Sequence, residues 1–421
     1  MPIKIPMMLG SRFGRRQLKV RVHRASWPVI RRVAWLYRRT LLKPTGVIAV
    51  VGSFGKSTTT RAVAAALGPE CCSKAIGNAR SFIADALLRV PPGAPFAVLE
   101  VGIDGPGQME RLAHMVRPRI AVVTGVGCEH NRSMFSLGVT RYEKSRILSV
   151  LDTQGLAILN GDDPNVLWMR QRTKARVITC GFGAENDVRA IDFRCHGPED
   201  ASFSIVAGES IHRVETRLPS RQQARSLLAA FAVARYAAAV PVEMLVERLA
   251  GIEALPGRFQ PIRLPSGVVL IRDEFKSPPE SIHAALDALQ EIPARRRVVV
   301  LGDISEPPMG MGRAYREIGR HLVRVADLAA LVTHDFRRYA SGARQVKEPE
   351  CFIGLGAEID RAIRVLKQKL RPGDVVLLKG RDTQKLDRIA LALMGRTVEC
   401  KLRFCRLSVR CERCPKLSCS L

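Results

Sequence analysis

The chain is predicted to be an α/β protein built on mostly parallel sheets, and three observations carry that expectation. Short apolar runs alternate with helical stretches from residue 47 to residue 379. One of those runs, Ile-Ala-Val-Val, enters a glycine turn, a lysine and a hydroxyl-rich helix start over residues 48–60. Composition agrees: of 421 residues 47% are apolar and 33 are glycine, far from the profile of a disordered chain.

The first 45 residues form a basic arm with twelve Lys or Arg and no acid. Within it Ile30, Val33, Ala34, Tyr37 and Leu41 recur at helical spacing, with Arg31, Arg32, Arg38 and Arg39 off that stripe. Such a helix, with Trp27 and Trp35, either lies on an anionic membrane surface or packs its stripe on the domain that follows. Strands are then predicted at 47–52, 96–101, 119–124, 156–160 and 176–180, and helices at 57–67, 107–116, 141–151 and 222–239. Residues 185–218 read as shorter strands and turns, and Pro256-Gly257-Arg258 as a hinge. A second α/β unit follows, with strands at 268–273, 297–302, 328–333 and 374–379 and helices at 280–290, 312–325 and 357–370. The division expected is 1–45 arm, 46–255 central nucleotide-binding domain, 256–397 C-terminal α/β domain and 398–421 Cys-rich tail.

The glycine turn is where chemistry is most legible. Gly52, Ser53, Phe54 and Gly55 precede Lys56, Ser57 and Thr58. Glycines let backbone N–H groups converge on phosphate, the lysine brings a mobile charge, and Ser57 offers a hydroxyl to Mg²⁺ at a helix N-terminus. Val50 stands where the longer Walker pattern has its first glycine, so the motif is the shorter G-x-x-G-K-S. Glu100, His130, Lys144 and Asn160 fall at or just after predicted strand ends or in the next helix, where open α/β sheets gather ligands.

The net charge of +28, with 52 Arg against 15 Lys, attracts polyanions: nucleotides, nucleic acid or anionic lipid. Aromatic residues are not interleaved with the basic ones, so nucleic acid is the least favoured of the three. No run of about 18 apolar residues suggests a membrane span. Eleven cysteines and no secretory signal predict a reducing, cytoplasmic setting, peripheral to the inner face of the membrane if the arm binds lipid.

In this order the segments resemble the Mur ligase family, and most nearly its D-alanyl-D-alanine-adding branch. The resemblance rests on GSFGKSTTT at 52–60, LEVGIDGPGQ at 99–108, RPRIAVVTGVGCEH at 117–130, EKSRIL at 143–148, LNGDDP at 159–164, LPGRFQ at 255–260, VVVLGDISE at 298–306 and LRPGDVVLLKGR at 370–381. It implies a central phosphate-loop ATPase domain, a C-terminal Rossmann-like domain and an ATP- and Mg²⁺-dependent carboxylate–amine ligase working through an acyl phosphate. Its partners would be a small-molecule carboxylate and the amine of an amino acid or peptide. Residue by residue, it implies Lys56 on the β- and γ-phosphates, Ser57 and Glu100 on Mg²⁺, and His130 and a carbamylated Lys144 at a second Mg²⁺. Arg258 from the hinge and Asp273 from the C-terminal domain would reach the nucleotide.

Departures from the family are equally specific. Gln222-Gln223 replace a His-Asn pair that supports adenine, and Glu274-Phe275-Lys276-Ser277-Pro278-Pro279 follow Asp273 in place of Tyr-Asn-Ala-Asn-Pro. Only about 45 residues precede the phosphate strand, too few for the family's UDP-gripping domain, so the expected carboxylate is not a standard UDP-muramyl peptide. A nucleotide-binding scaffold without ligase activity is the alternative that the altered 274–279 loop suggests. In the tail, Cys405, Cys411, Cys414 and Cys419 are candidate thiolates for one Zn²⁺, with an iron–sulfur cluster or reduced thiols as the other readings.

Overall fold

The computed structural model describes residues 26–69, 71–73, 80–128, 131–305, 311–407 and 409–418. Two sheets organise it. The first has nine strands in the order β2-β3-β1-β4-β5-β6-β7-β8-β9. These are β1 (Gly46–Val51), β2 (Cys72–Ser73), β3 (Phe96–Glu100), β4 (Ile120–Val123), β5 (Leu156–Asn160), β6 (Arg176–Gly181), β7 (Val188–Cys195), β8 (Ala201–Ala207) and β9 (Ser210–Thr216). Pairing is parallel from β2 to β7, and β7-β8-β9 extend the edge as an antiparallel meander. The second sheet runs β10-β11-β15-β12-β13-β14. Its strands are β10 (Gln260–Arg263), β11 (Val269–Asp273), β12 (Arg296–Leu301), β13 (Leu328–Leu331), β14 (Phe352–Gly354) and β15 (Asp374–Lys379), with only β10 antiparallel to its neighbour.

Both faces of each sheet are covered, which explains why the strands read as unbroken apolar runs. In β1, Val47, Ala49 and Val51 enter one core while Ile48 and Val50 enter the other. One face carries α1 (Trp27–Arg39), α3 (Arg80–Leu88), α4 (Gln108–Val116) and α5 (Leu137–Ser145). The opposite face carries α2 (Lys56–Leu67), α6 (Arg221–Ala237) and α7 (Val242–Ala250). The helices of the second unit are α8 (Pro279–Glu291), α9 (Met311–Val325), α10 (Phe336–Ala343), α11 (Ile359–Lys369) and α12 (Asp387–Leu393).

Several expectations are corrected. The predicted 141–151 helix begins earlier, because the Ser136 hydroxyl caps it by accepting from the Val139 N–H at 3.2 Å, and its α-helical part ends at Ser145. Strands β10 and β14 and helix α10 carry too little periodicity to stand out in the sequence. In α1 the buried face is rotated from the predicted stripe: Val33 and Leu41 are exposed, and Arg38 is buried. The cause is a cation at a helix end. Arg38 donates to the Val116 and Arg117 carbonyls at 2.9 and 3.0 Å, at the C-terminus of α4, and to that of Leu42. Trp27, Ile30, Ala34 and Tyr37 pack on the first core, so α1 docks on the following domain. Among the described residues no helix is long and apolar enough to cross a membrane.

Candidate functional site

The strand order reverses around β1, which lies between β3 and β4, and loops at such a switch point open a crevice beyond the strand ends. Gly52 leaves β1 with φ +153°, and Gly55 sits at φ +78° just before α2. The loop they shape is cramped: a Cβ on Gly52 would stand 2.1 Å from the Thr124 hydroxyl. Ser53 is buried, donating its hydroxyl to the Gly127 carbonyl at 3.1 Å, and its N–H donates to Gly125 at 2.8 Å. Thr124, just past β4, donates to the Phe54 carbonyl at 2.5 Å. Neighbouring strand ends thus fix the loop's conformation.

Two buried amines meet at that loop. Lys56 Nζ donates to the carbonyls of Gly52 and Ser53 at 2.8 and 3.2 Å, and Lys144 Nζ, from α5, donates to the same Gly52 carbonyl at 2.8 Å. Burial lowers the Lys56 pKa to about 8, with Glu100 opposing and Arg258 adding to the fall. Burial first, and the Lys56 charge second, hold Lys144 well below the usual lysine range. Ser57, in the first turn of α2, donates its hydroxyl to Glu100 Oε2 at 2.8 Å, since Glu100 ends β3 in register with Val50 of β1. Both are hard oxygen donors of the kind Mg²⁺ selects.

The second unit closes the crevice. Arg258 stacks on the Phe275 ring at 4.1 Å. Asp273, at the end of β11, accepts from Lys379 Nζ at 2.5 Å and from the Phe259 N–H at 3.2 Å. Burial raises its pKa although Lys379 pulls against it. A small cavity of about 70 Å³ lies between Phe54, Gly55 and Thr58 on one side and Arg258, Asp273 and Lys379 on the other. A larger one, about 320 Å³, runs from Gly55 past Asn160 and Asp162 to Gln222 and Arg225.

Of the predicted residues, Gly52, Ser53, Phe54, Gly55, Lys56, Ser57, Thr58, Glu100, Lys144, Arg258 and Asp273 therefore gather around one crevice. His130 lies outside the described residues, as does Cys419. Sequence reading missed three contributors. Asp162 accepts from the Phe182 and Gly183 N–H groups and from Arg225, all at 2.9 Å. Burial pushes its carboxyl up, but those donors outweigh it and hold it below the ordinary range. Gln223 donates to the Arg258 and Phe259 carbonyls at 3.3 Å, tying α6 to the hinge. Glu280, on α8, accepts from the Cys128 N–H at 3.0 Å across the two units. Only the Asn-Gly-Asp-Asp-Pro turn hinted at the first of these.

In the tail, three of the four cysteines expected to hold Zn²⁺ are described and Cys419 is not. Cys400, Cys405, Cys411 and Cys414 line one small cavity, yet among the described residues no three His, Cys, Asp or Glu side chains are grouped to hold a metal ion. Cys411 is buried against Leu391 and Leu417, and burial with the neighbouring Asp387 carboxylate raises its thiol pKa, which disfavours a thiolate. The tail is also held by protein contacts: the buried Arg388 donates to the Cys400 and Leu402 carbonyls, both at 2.6 Å, and the Cys405 N–H donates to the Thr383 carbonyl at 2.8 Å.

Comparison with known proteins matches this architecture. The family model for the Mur ligase middle domain matches residues 50–234, and that for the Mur ligase, glutamate ligase domain matches 257–381. The UDP-N-acetylmuramoyl-tripeptide–D-alanyl-D-alanine ligase of Mycobacterium tuberculosis is 28% identical over 374 residues, covering 83% of this chain and 73% of that protein. The enzyme of that name from Bacillus subtilis is 26% identical over 362 residues, covering 83% and 76%. Among solved structures, MurF from Acinetobacter baumannii superposes with a TM-score of 0.78 at 22% identity, over 88% of this chain and 81% of that one. MurF ligase from Thermotoga maritima in complex with ADP gives 0.77 at 21% identity, over 88% and 84%.

Proposed function

Because the chain belongs to the Mur ligase family of ATP-dependent amide-bond-forming enzymes, we propose that it phosphorylates a peptide-type carboxylate at the 52–57 loop and joins the product to the amine of an amino acid or short peptide. The observation that carries this is the convergence of Lys56 and Lys144 on the Gly52 carbonyl, beside the Ser57–Glu100 pair. A carboxylate is a poor electrophile. One of its oxygens attacks the γ-phosphorus, ADP leaves, and the acyl phosphate carbon becomes open to the amine; phosphate departs as the amine loses a proton.

Lys56 can swing from its backbone acceptors to the phosphates, where its charge offsets what accumulates on the transferring group. Mg²⁺ held by Ser57 and Glu100 would supply further compensation there. Lys144 is suited to carbamylation. CO₂ adds only to a neutral amine, releasing a proton, and the depressed pKa of Lys144 supplies that form. The carbamate is an anion beside Lys56, and it would stabilise the Lys56 ammonium that burial disfavours. Arg258 and Asp273 would meet the nucleotide from the second unit, and the larger cavity next to Gln222 and Arg225 would take its base.

The relatives' names nominate UDP-N-acetylmuramoyl-tripeptide and D-alanyl-D-alanine as first substrates, against the expectation drawn from the short N-terminal segment. The altered 274–279 loop argues for different acceptor contacts, because Glu274 is engaged by Arg272 and Phe275 by Arg258. The deciding assay supplies ATP, the UDP-muramyl tripeptide and hydroxylamine as a surrogate amine. A hydroxamate with ADP and phosphate is expected; AMP and pyrophosphate would overturn the acyl phosphate route. Failure of this carboxylate alone, with hydroxamate formed from others in a pooled extract, would restore the non-muramyl expectation.

A second reading concerns α1. Its outward face presents Val29, Val33 and Leu36 beside Arg32 and Arg39, with Arg39 over the exposed Trp35 ring at 4.2 Å, as on helices that rest on anionic lipid. Salt-sensitive sedimentation with phosphatidylglycerol vesicles would support it, and none at low salt would remove it.

A further inference from the structure

The chain continues past the second family match, and its tail folds back onto the hinge. At the end of β11, Arg272 points to the face opposite Asp273, as alternation in a strand requires. It is 2% exposed, a heavy cost unless its charge is met. Its Nε and Nη2 donate to Glu274 Oε1 at 2.9 and 2.6 Å, and its Nη1 pairs with Glu412 of the tail. Arg410 Nη2 lies 3.8 Å from that same Glu274 oxygen. Two arginines and two glutamates from β11, its loop and the tail thus balance one another.

Arg410 also grips the hinge itself. Its Nη1 donates to the Pro256 carbonyl at 2.5 Å. Gly257 follows at φ +67°, and a Cβ there would stand 2.6 Å from Arg410 Nη2, so the hinge backbone and the guanidinium are in close contact. The next residue is Arg258, which stacks on Phe275 and whose charge acts on Glu100 and Lys56. The tail is anchored independently on the other side, where the Cys411 N–H donates to Asp387 Oδ2 at 3.0 Å and Arg396 donates to the Glu412 carbonyl at 3.2 Å.

We propose that the tail is a clasp, with Arg410 and Glu412 as positioning residues that hold Pro256–Arg258 and Glu274–Phe275 in the pose that presents Arg258 to the nucleotide. A tail that merely covered the end of the second unit would grip its body; this one reaches the backbone that links the two units. The inference rests on the reading that Arg258 meets the nucleotide, so its test measures nucleotide binding and needs no knowledge of the substrates.

Calorimetry with MgATP on the full chain would compare Arg410→Ala, Arg410→Lys and Arg258→Ala, each with its thermal midpoint. Loss of one charge-assisted contact at the hinge is expected to weaken MgATP about fivefold in Arg410→Ala, with a similar loss in Arg258→Ala. Arg410→Lys, which can still reach the Pro256 carbonyl, should recover much of the affinity. If Arg410→Ala melts too early to titrate, Glu412→Gln carries the comparison, with MgATP affinity expected to fall at a temperature where that variant remains folded. Weakening in Arg258→Ala with none in the Arg410 and Glu412 variants would overturn the clasp. So would Arg410→Lys binding no better than Arg410→Ala when both are folded. No effect of Arg258→Ala would instead remove the nucleotide role of Arg258, and the clasp's purpose with it.

Discussion

The phosphate crevice and the hinge cluster both bury charge, but they are built in opposite ways. Around Gly52 the buried groups are two lysine amines, Lys56 and Lys144, which share a backbone carbonyl and whose pKa values burial depresses. Around Arg272 the charges are matched within the fold, Arg272 and Arg410 against Glu274 and Glu412. Amines held with depressed pKa values are poised for a ligand's charge or for reaction; a matched set of ion pairs is costly only when broken. On the proposed reading, the first serves binding and chemistry and the second holds a pose.

Breaking the balanced cluster should show the largest effect. Arg272→Ala would leave the buried Glu274 without its main cation, and removing one partner of such a pair costs about 3–5 kcal/mol. Urea unfolding of the second unit would measure it; a loss below about 1 kcal/mol would mean that the cluster is solvated and the contrast false. In the lysine cluster, stability should change little while activity collapses. Lys144→Ala is expected to cut turnover about a hundredfold and, if the carbamate is the working group, to regain part of it with added short-chain carboxylates. An alanine variant as active as the parent chain would take Lys144 out of the chemistry.

The smallest effect is a pH dependence confined to the crevice. The Lys56 pKa is lowered to about 8 in the folded chain, against an ordinary lysine value near 10.4. A depressed lysine favours its neutral form on folding, so its burial destabilises the ligand-free fold fully below about pH 8 and progressively less as pH rises to about 10.4. Binding has the other sign, because phosphate needs the ammonium: MgATP affinity should be level below about pH 8 and fall up to tenfold per unit above it. Isothermal titration across pH 7–10 would show this, and a Lys56→Met chain should lose the break. A break retained in Lys56→Met would assign it to another group.

The local parts were legible because their physics is local. A strand, two glycines, a lysine and a helix start lie within a dozen residues, and one short turn must hold them together, so Lys56 and Ser57 could be named from order alone. Glu100 and Lys144 followed from strand ends and from the family resemblance. What escaped was set by contacts between distant segments. Arg38 reads as a solvated charge until the carbonyls of α4 are seen to claim it, and the predicted stripe of α1 turned with it. Gln223 reads as a lost adenine contact until its amide is seen on the hinge carbonyls. The tail cysteines suggested a metal because spacing was all that the sequence offered. Tertiary structure decided what spacing could not show, placing Arg388 under the tail carbonyls, and setting Arg410 and Glu412 beside Arg272, some 140 residues away, where only folding could make four charges neutral.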